Sequence, residues 1–444
     1  MNNMKLAQYP KYKESGERWI GAVPEGWKIE KLKYLTSERK EKANDLNFSK
    51  TYIGLENIES WTGRLIGSTS LEEIDGESLK FRKKDVLFGK LRPYLAKVIV
   101  AETDGYCTSE LIIYKCKEEV DPYFLKYRFL SKSYIDFVNS LTYGVKMPRA
   151  DPDQLRNLKL PMPEKAGQIG IRMYLDTHNS KIDELIKKYT QLVLLLKEKR
   201  AFLIDQAVTE GLDPETKWKD SGIEWIGKIP EKWSLRKLKT VLKDEKGSIK
   251  TGPFGSQLTI DEMNESEVKI YNQRNVISKD ETLGENFVSL IKYHELLAFK
   301  AGPGDLLITT RGTIGKCLKL TSKADKGILH PCVMKIKVND KVVVDDYVAF
   351  LIEESELAKV QFILQSNATT IDVIYQDNLK QVILPIPPIE DQEKILNYLK
   401  SKISKIEKTI KKIKEAIMLL EEYKRSLINN AVTGKIDLRE KEWT

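Results

Sequence analysis

Cysteine and histidine are scarce. The 444 residues hold four cysteines (Cys107, Cys116, Cys317 and Cys332) and three histidines (His178, His294 and His330). No two cysteines stand at Cys-x-x-Cys spacing, so neither a disulfide framework nor a zinc site is indicated, and free thiols in a reducing cytoplasm are expected. Long apolar runs are missing as well. The longest strongly apolar one, LVLLL from Leu192 to Leu196, falls far short of the roughly 20 residues that a membrane-spanning helix needs. The opening stretch MNNMKLAQYPKYKESG lacks the apolar centre of a secretion signal. The expectation is a soluble, unsecreted, cytoplasmic chain with no metal and no membrane partner.

A catalytic constellation is also missing. Asp121-Pro122-Tyr123-Phe124 resembles the loop of amino-methyltransferases, but it lacks the second proline, and no glycine-rich cofactor loop accompanies it. Arg311–Cys317 echoes a phosphate-binding loop. It has Thr310 where the first glycine should stand, however, and Cys317 where a hydroxyl must hold magnesium. Asp151-Pro152-Asp153 fits turn and cap chemistry. No residue is therefore assigned a catalytic or metal-binding role.

What is present is duplication. ESGERWIGAVPEGWKIEKLKYL begins at Glu14 and DSGIEWIGKIPEKWSLRKLKTVL at Asp220, with Trp19/Trp225, Gly21/Gly227, Pro24/Pro230 and Trp27/Trp233 each 206 residues apart. A second pair of motifs, LRNLKLPMPEKAGQIGIRMYL from Leu155 and LKQVILPIPPIEDQEKILNYL from Leu379, matches at a shift of 224. Each copy thus has a repeated opening, a divergent middle and a repeated exit. The linker AVTEGLDPETKW (207–218) returns at the C-terminus as AVTGKIDLREKEW (431–443), so the design is cyclic.

After each exit motif the apolar residues step by three and four, as along a coiled-coil seam. The seam residues are Ile182, Ile186, Tyr189, Val193, Leu196 and Leu203 in the first copy. In the second they are Ile406, Ile410, Ile413, Ile417, Leu420 and Leu427. Arg200 and Lys424 interrupt the two seams at equivalent places, and Asn179 replaces Ile403. A helix of about 45 residues would be about 67 Å long, more than one globular domain needs. Two near-identical seams pack most simply on each other, antiparallel, with one globular region at each end. The fold class expected is α+β, with two α/β domains separated by two long antiparallel helices and related by a pseudo-twofold repeat.

Lys plus Arg number 74 against 65 Asp plus Glu, a net charge of +9 with a pI near 8.9, which suits an anionic partner without demanding one. The divergent middles place basic and hydroxyl side chains on loops: Lys90, Arg92, Tyr94, Lys146 and Arg149 in the first, and Ser256, Arg274, Arg311, Thr313, Thr369 and Thr370 in the second. Arginine and lysine reach phosphates or guanine edges, and glycine-rich turns let backbone N–H groups approach phosphate. The tryptophans Trp19, Trp27, Trp225 and Trp233 are expected to dock each domain onto the helices.

The W-I-G-x-x-P-x-x-W openings, the L-P-x-P exits, the paired long helices and the KRAFLIDQAVTEGLD and KRSLINNAVTGKID endings resemble the specificity subunit of type I restriction-modification systems, over essentially the whole chain. The resemblance implies an N-terminal segment with target-recognition domain 1 over 1–163, a central helix over 164–209 and a linker over 210–222. Domain 2 would follow over 223–387, then a C-terminal helix over 388–433 and a tail over 434–444 that closes onto the N-terminal segment. It further implies a non-catalytic subunit whose two domains read the two halves of a bipartite, asymmetric site in double-stranded DNA. The helices would space them and dock two methyltransferase subunits and the restriction (motor-nuclease) subunits. S-adenosylmethionine, ATP and Mg would belong to those partners, with no cofactor on this chain. The alternatives are a modification enzyme with a fused recognition module, or a coiled-coil scaffold with no DNA role.

Overall fold

The structure, a computed structural model, describes residues 7–43, 51–67, 77–365 and 373–439. It mixes helices and sheets and divides into two compact units. The first comprises residues 1–190 with 413–444, and the second residues 191–412. Both long helices, Lys165–Thr209 and Ile389–Val432, contribute to both units.

In the first unit a four-stranded antiparallel sheet runs in the order Thr36–Arg39, Leu111–Cys116, Val86–Gly89, Val98–Val100. Strand residues alternate between faces, and here both faces are covered. Val86, Phe88, Val98, Val100, Ile112 and Tyr114 join the core with the helices Pro122–Leu130 and Lys132–Ser140. Leu87, Ile99, Leu111 and Ile113 pack the other way, with Ile53, Phe81 and Cys107 of a three-stranded sheet in which Thr51–Ile53 lies parallel to Gly105–Thr108.

The second unit repeats this plan. Its four-stranded sheet runs Ile249–Thr251, Val333–Ile336, Leu306–Thr309, Cys317–Lys319, and a second sheet sets Val268–Tyr271 parallel to Gly327–Leu329. Leu306, Ile308, Met334 and Ile336 face the helix Asp345–Glu354, while Leu307, Leu318 and Val333 face the second sheet. Two sequences with divergent middles thus produce one strand order twice.

The repeated motifs prove to be one structural element. In the first unit Lys28–Lys31 of the opening motif pairs antiparallel with Lys159–Met162 of the exit, and in the second Ser234–Lys237 pairs with Ile383–Ile386. The exit glutamine then clamps the following helix. Gln168, 2% exposed, donates to the carbonyls of Glu119 (3.1 Å) and Pro163 (2.9 Å) and accepts from Asp121 N–H (2.9 Å). Gln392 does the same with Val342, Pro387 and Val344.

The seam residues identified above are all buried or half-buried. In the first unit Ile171, Tyr174 and Leu175, near the start of the first long helix, share a core with Leu427, Ile428, Ala431 and Val432 at the end of the second. In the second unit Ile204, Ala207 and Val208 at the end of the first share a core with Ile395, Leu396, Leu399 and Ile403 near the start of the second. Start meets end in each case, which is the antiparallel sense. The seam interruptions carry partners. Lys424 reaches Asp183 at 2.7 Å, and Asp183 also binds Arg64; Arg200 binds Glu354 at 2.7 Å and lies 3.5 Å from Glu407. Asp183 and Glu407 are themselves 224 residues apart, so the two ion pairs are copies of one another. Asn179 is buried beside the Tyr127 hydroxyl, to which it donates at 3.4 Å.

The second linker sits beside the N-terminal segment within the first unit: the Tyr12 hydroxyl donates to the Gly434 carbonyl (3.0 Å) and Asp437 N–H to the Ala7 carbonyl (2.7 Å). Gly434 lies against Pro24 and Trp27, as Gly211 lies against Trp233 in the second unit. Trp27 and Trp233 are each 4% exposed within the cores that include the helix ends. The other two tryptophans differ from each other in their surroundings. Trp19 stacks on Phe137 of its own domain, with ring centroids 4.6 Å apart, and Trp225 remains 56% exposed. The physical reason is that Gln361 occupies the position equivalent to Phe137, and its amide bonds to the backbone of Leu357 and Ile383 instead of offering a ring.

Gln168→Met keeps the volume but removes three hydrogen bonds, and it is expected to cost at least about 2 kcal/mol because buried backbone groups lose their partners. Urea unfolding checks this, and an unchanged midpoint would show that the clamp does not stabilise the junction.

Candidate nucleic-acid interface

In each unit the loops at one end of the four-stranded sheet meet. In the first unit the chain leaves Val86–Gly89 through Lys90–Lys97. Arg92 takes a left-handed backbone (φ 49°) there, as the N-cap of the turn Pro93–Leu95. A hairpin, Tyr143–Arg149, packs on this loop. Tyr143 and Arg149 exchange backbone hydrogen bonds at 3.2 and 3.0 Å, Arg92 N–H donates to the Pro148 carbonyl (2.7 Å), and Ala150 N–H donates to the Lys90 carbonyl (2.9 Å). The structure therefore brings Lys90, Arg92, Tyr94, Lys146 and Arg149 onto one loop pair. Lys90, Arg92 and Lys146 have no side-chain hydrogen-bond or ion-pair partner among the described residues, whereas Arg149 is tied to Glu110 at 2.7 Å. Tyr94 is 43% exposed.

In the second unit the corresponding end gathers four segments. The loop 252–257 follows Ile249–Thr251, residues 310–316 follow Leu306–Thr309, and the turn 330–332 precedes Val333–Ile336. The fourth is the helix Gln273–Ser278, capped by Asn272, whose side chain accepts from the N–H groups of Arg274 and Asn275. They are stitched together: Gly252 N–H donates to the Val333 carbonyl, Thr310 N–H to the Cys332 carbonyl, and the Gln273 amide to the Arg311 carbonyl. Ser256, Arg274, Arg311 and Thr313 are all exposed on this cluster. Arg274 pairs with Glu285, while the Arg311 side chain has no partner among the described residues. Thr369 and Thr370 lie outside the described residues.

The tips of these loops are apolar, a feature that a pattern of charge and hydroxyl groups does not register. Val145 is 104% exposed, Met147 55%, and Phe254, between Pro253 and Gly255, 75%. A large apolar residue next to glycine in a loop lacking apolar periodicity was the available signal.

The arrangement offers cations and backbone donors. Burial pushes the Cys107 and Cys116 thiols up to about 12 and raises Cys317 further, so these remain protonated at neutral pH. His330, in the second cluster, is lowered by burial and is held as a neutral ring whose Nδ1 accepts from Cys332 N–H. The carboxylates that looked like candidate chemistry are helix caps. Asp121 accepts from Phe124 N–H with Pro122 in the first turn, and Asp151 accepts from Asp153 N–H with Pro152 likewise placed. Lys316, within the phosphate-loop echo, is paired with Glu353 at 3.2 Å.

Residues 230–417 match the family model described as Type I restriction modification DNA specificity domain. Among curated relatives, the EcoDI specificity subunit of a type I restriction enzyme from Escherichia coli is 24% identical over 36% of this chain and 37% of its own. The MjaVIII specificity subunit from Methanocaldococcus jannaschii is 24% identical over 94% of each chain. A solved chain from work on complex assembly and conformational transition of the type I R-M system matches at 16% identity and a TM-score of 0.71. The match covers 92% of this chain and 98% of that one.

Glu110→Ala should loosen the hairpin foot while leaving global stability within about 1 kcal/mol, since the ion pair with Arg149 is partly solvated. Hydrogen exchange at Tyr143 and Arg149 N–H is expected to quicken, and unaltered exchange would assign the foot to its backbone bonds alone.

Proposed function

We infer from this chain's similarity to the specificity subunits of type I restriction-modification systems that it is the non-catalytic part of such a system that recognises DNA sequence, and we propose how it divides that task. Each duplicated sheet presents one loop cluster, and each cluster reads one half of a bipartite duplex site. The observation that carries the reading is that these loop ends hold cationic side chains the fold leaves unspent: Lys90, Arg92 and Lys146 in one unit and Arg311 in the other. A fold that ties its interior charges closely, as with Lys335 and Asp305 at 3.2 Å, leaves these without side-chain partners among the described residues. Phosphates and guanine edges are the ligands that such groups fit. The two middles differ in sequence because the half-sites differ.

The long helices offer a repeated surface to partner subunits. Leu194 and Leu195, 54% and 59% exposed, recur 224 positions later as Met418 and Leu419, 68% and 65% exposed. An apolar face presented twice suits two copies of one partner, which we take to be the methyltransferase subunit, with the restriction subunits joining that assembly. S-adenosylmethionine, ATP and Mg are assigned to those partners. No helix among the described residues is long and apolar enough to cross a membrane.

The purified chain is expected neither to methylate nor to cut DNA, and to shift duplex DNA in a salt-dependent manner once joined by its methyltransferase partner. Arg311→Ala should cost about 1–3 kcal/mol at one half-site and leave the other unchanged. Arg274→Ala should cost less, because Glu285 already engages that guanidinium. Binding selections with the variant complexes test this, and equal changes in both half-sites would overturn the proposed division.

A further inference from the structure

The hairpin Tyr143–Arg149 carries apolar side chains that no core takes up. Val145 is fully exposed, and Met147 and Tyr143 are more than half exposed. Flexibility does not explain them, because the foot of the hairpin is fixed by the Tyr143/Arg149 backbone pair, the Arg92-to-Pro148 bond, the Ala150-to-Lys90 bond and the Arg149–Glu110 ion pair. A rigid base thus holds out an apolar tip, with Gly144 (φ 87°) making the turn and Lys146 set between Val145 and Met147. Lys90 and Arg92, both without side-chain partners among the described residues, belong to the loop beneath it.

The occupant of such a surface must be anionic at its rims and apolar at its floor. Duplex DNA has that character in the major groove, where phosphates line the edges and the thymine C5-methyl group is the apolar feature of the floor. The groove also admits a two-stranded ribbon. We propose that this hairpin enters the major groove and that Val145, supported by Met147, recognises a thymine by its C5-methyl group, while Lys146 and Arg92 hold the adjoining phosphates. The inference rests on the recognition reading above and deepens it, making Val145 a specificity-determining residue. The predicted contact is methyl against methyl, so it discriminates thymine from cytosine and from uracil without a hydrogen bond.

The test uses the full chain in complex with its methyltransferase partner. Once binding selection has defined the site, each thymine on either strand is replaced in turn by deoxyuridine, which removes the methyl group and nothing else. One position is expected at which the wild-type complex loses about fourfold in affinity, the effect of one buried methyl-sized group. The Val145→Ala complex should bind the thymine duplex about as weakly as the wild type binds the deoxyuridine duplex, and should no longer tell the two apart. This is the signature of direct coupling in a double-mutant cycle. Because Val145 touches no core, its variant should unfold with the wild-type midpoint, which separates loss of contact from loss of fold. Retained sequence preference with no deoxyuridine-sensitive position, or equal sensitivity in Val145→Ala, would overturn this inference alone. A complex with no sequence preference on any duplex would overturn the recognition reading and this inference with it.

Discussion

Everything in this protein is arranged around two helices that each have to bury an apolar seam. Neither seam is stable in water by itself, since most helix stability in proteins comes from packing an apolar face. In each unit the start of one long helix is covered by the end of the other, and both are continuous with the sheet-and-helix core of that unit. The domain and the helices therefore share one hydrophobic interior, with Trp27 and Trp233 at the junctions. The charged interruptions fit the same constraint. Lys424 is 9% exposed, and a buried ammonium is tolerated only when it is paired. Sliding the helices by a heptad would take Lys424 away from Asp183 and Arg200 away from Glu407, so the ion pairs oppose other registers.

The junction between sheet and helix is where the repeat is strictest, and the reason is geometric. The opening and exit motifs are far apart in sequence but form one two-stranded ribbon, so a change in either alters the other. Gln168 and Gln392 each satisfy three backbone groups at the point where the chain turns from strand to helix. A clamp of this kind fixes the direction in which a domain leaves its helix. The loops of the two clusters differ in sequence between the copies, while the order of the four-stranded sheet stays the same.

The two clusters are also distinguished by which cations the fold has already used. Arg149 and Arg274 look equivalent to Arg92 and Arg311 in sequence, yet each is held by a carboxylate, Glu110 and Glu285. The first pair stiffens the loops, and the second remains available to a ligand. Apolar tips at Val145 and Phe254 add a chemistry that a count of charges does not register.

The sequence by itself determined the duplication, the α+β class, the antiparallel helices and the position of the seam, because periodicity and internal repeats follow directly from helix geometry and from the need to bury apolar surface. It also set aside the methyltransferase-like and phosphate-loop motifs, which lack a proline, a glycine and a hydroxyl that such motifs need, and placed Asp151-Pro152-Asp153 in turn and cap chemistry. Only the tertiary structure decided which basic residues were free, because an ion pair such as Arg149 with Glu110 joins residues 39 positions apart that no local pattern connects. It also decided the fate of Trp225. That residue sits in a motif matching that of Trp19, but the ring that covers Trp19 belongs to a helix in the divergent middle, where the second copy has Gln361 in place of Phe137. Local pattern specifies elements and repeats, whereas the partners of a side chain depend on what the fold brings beside it.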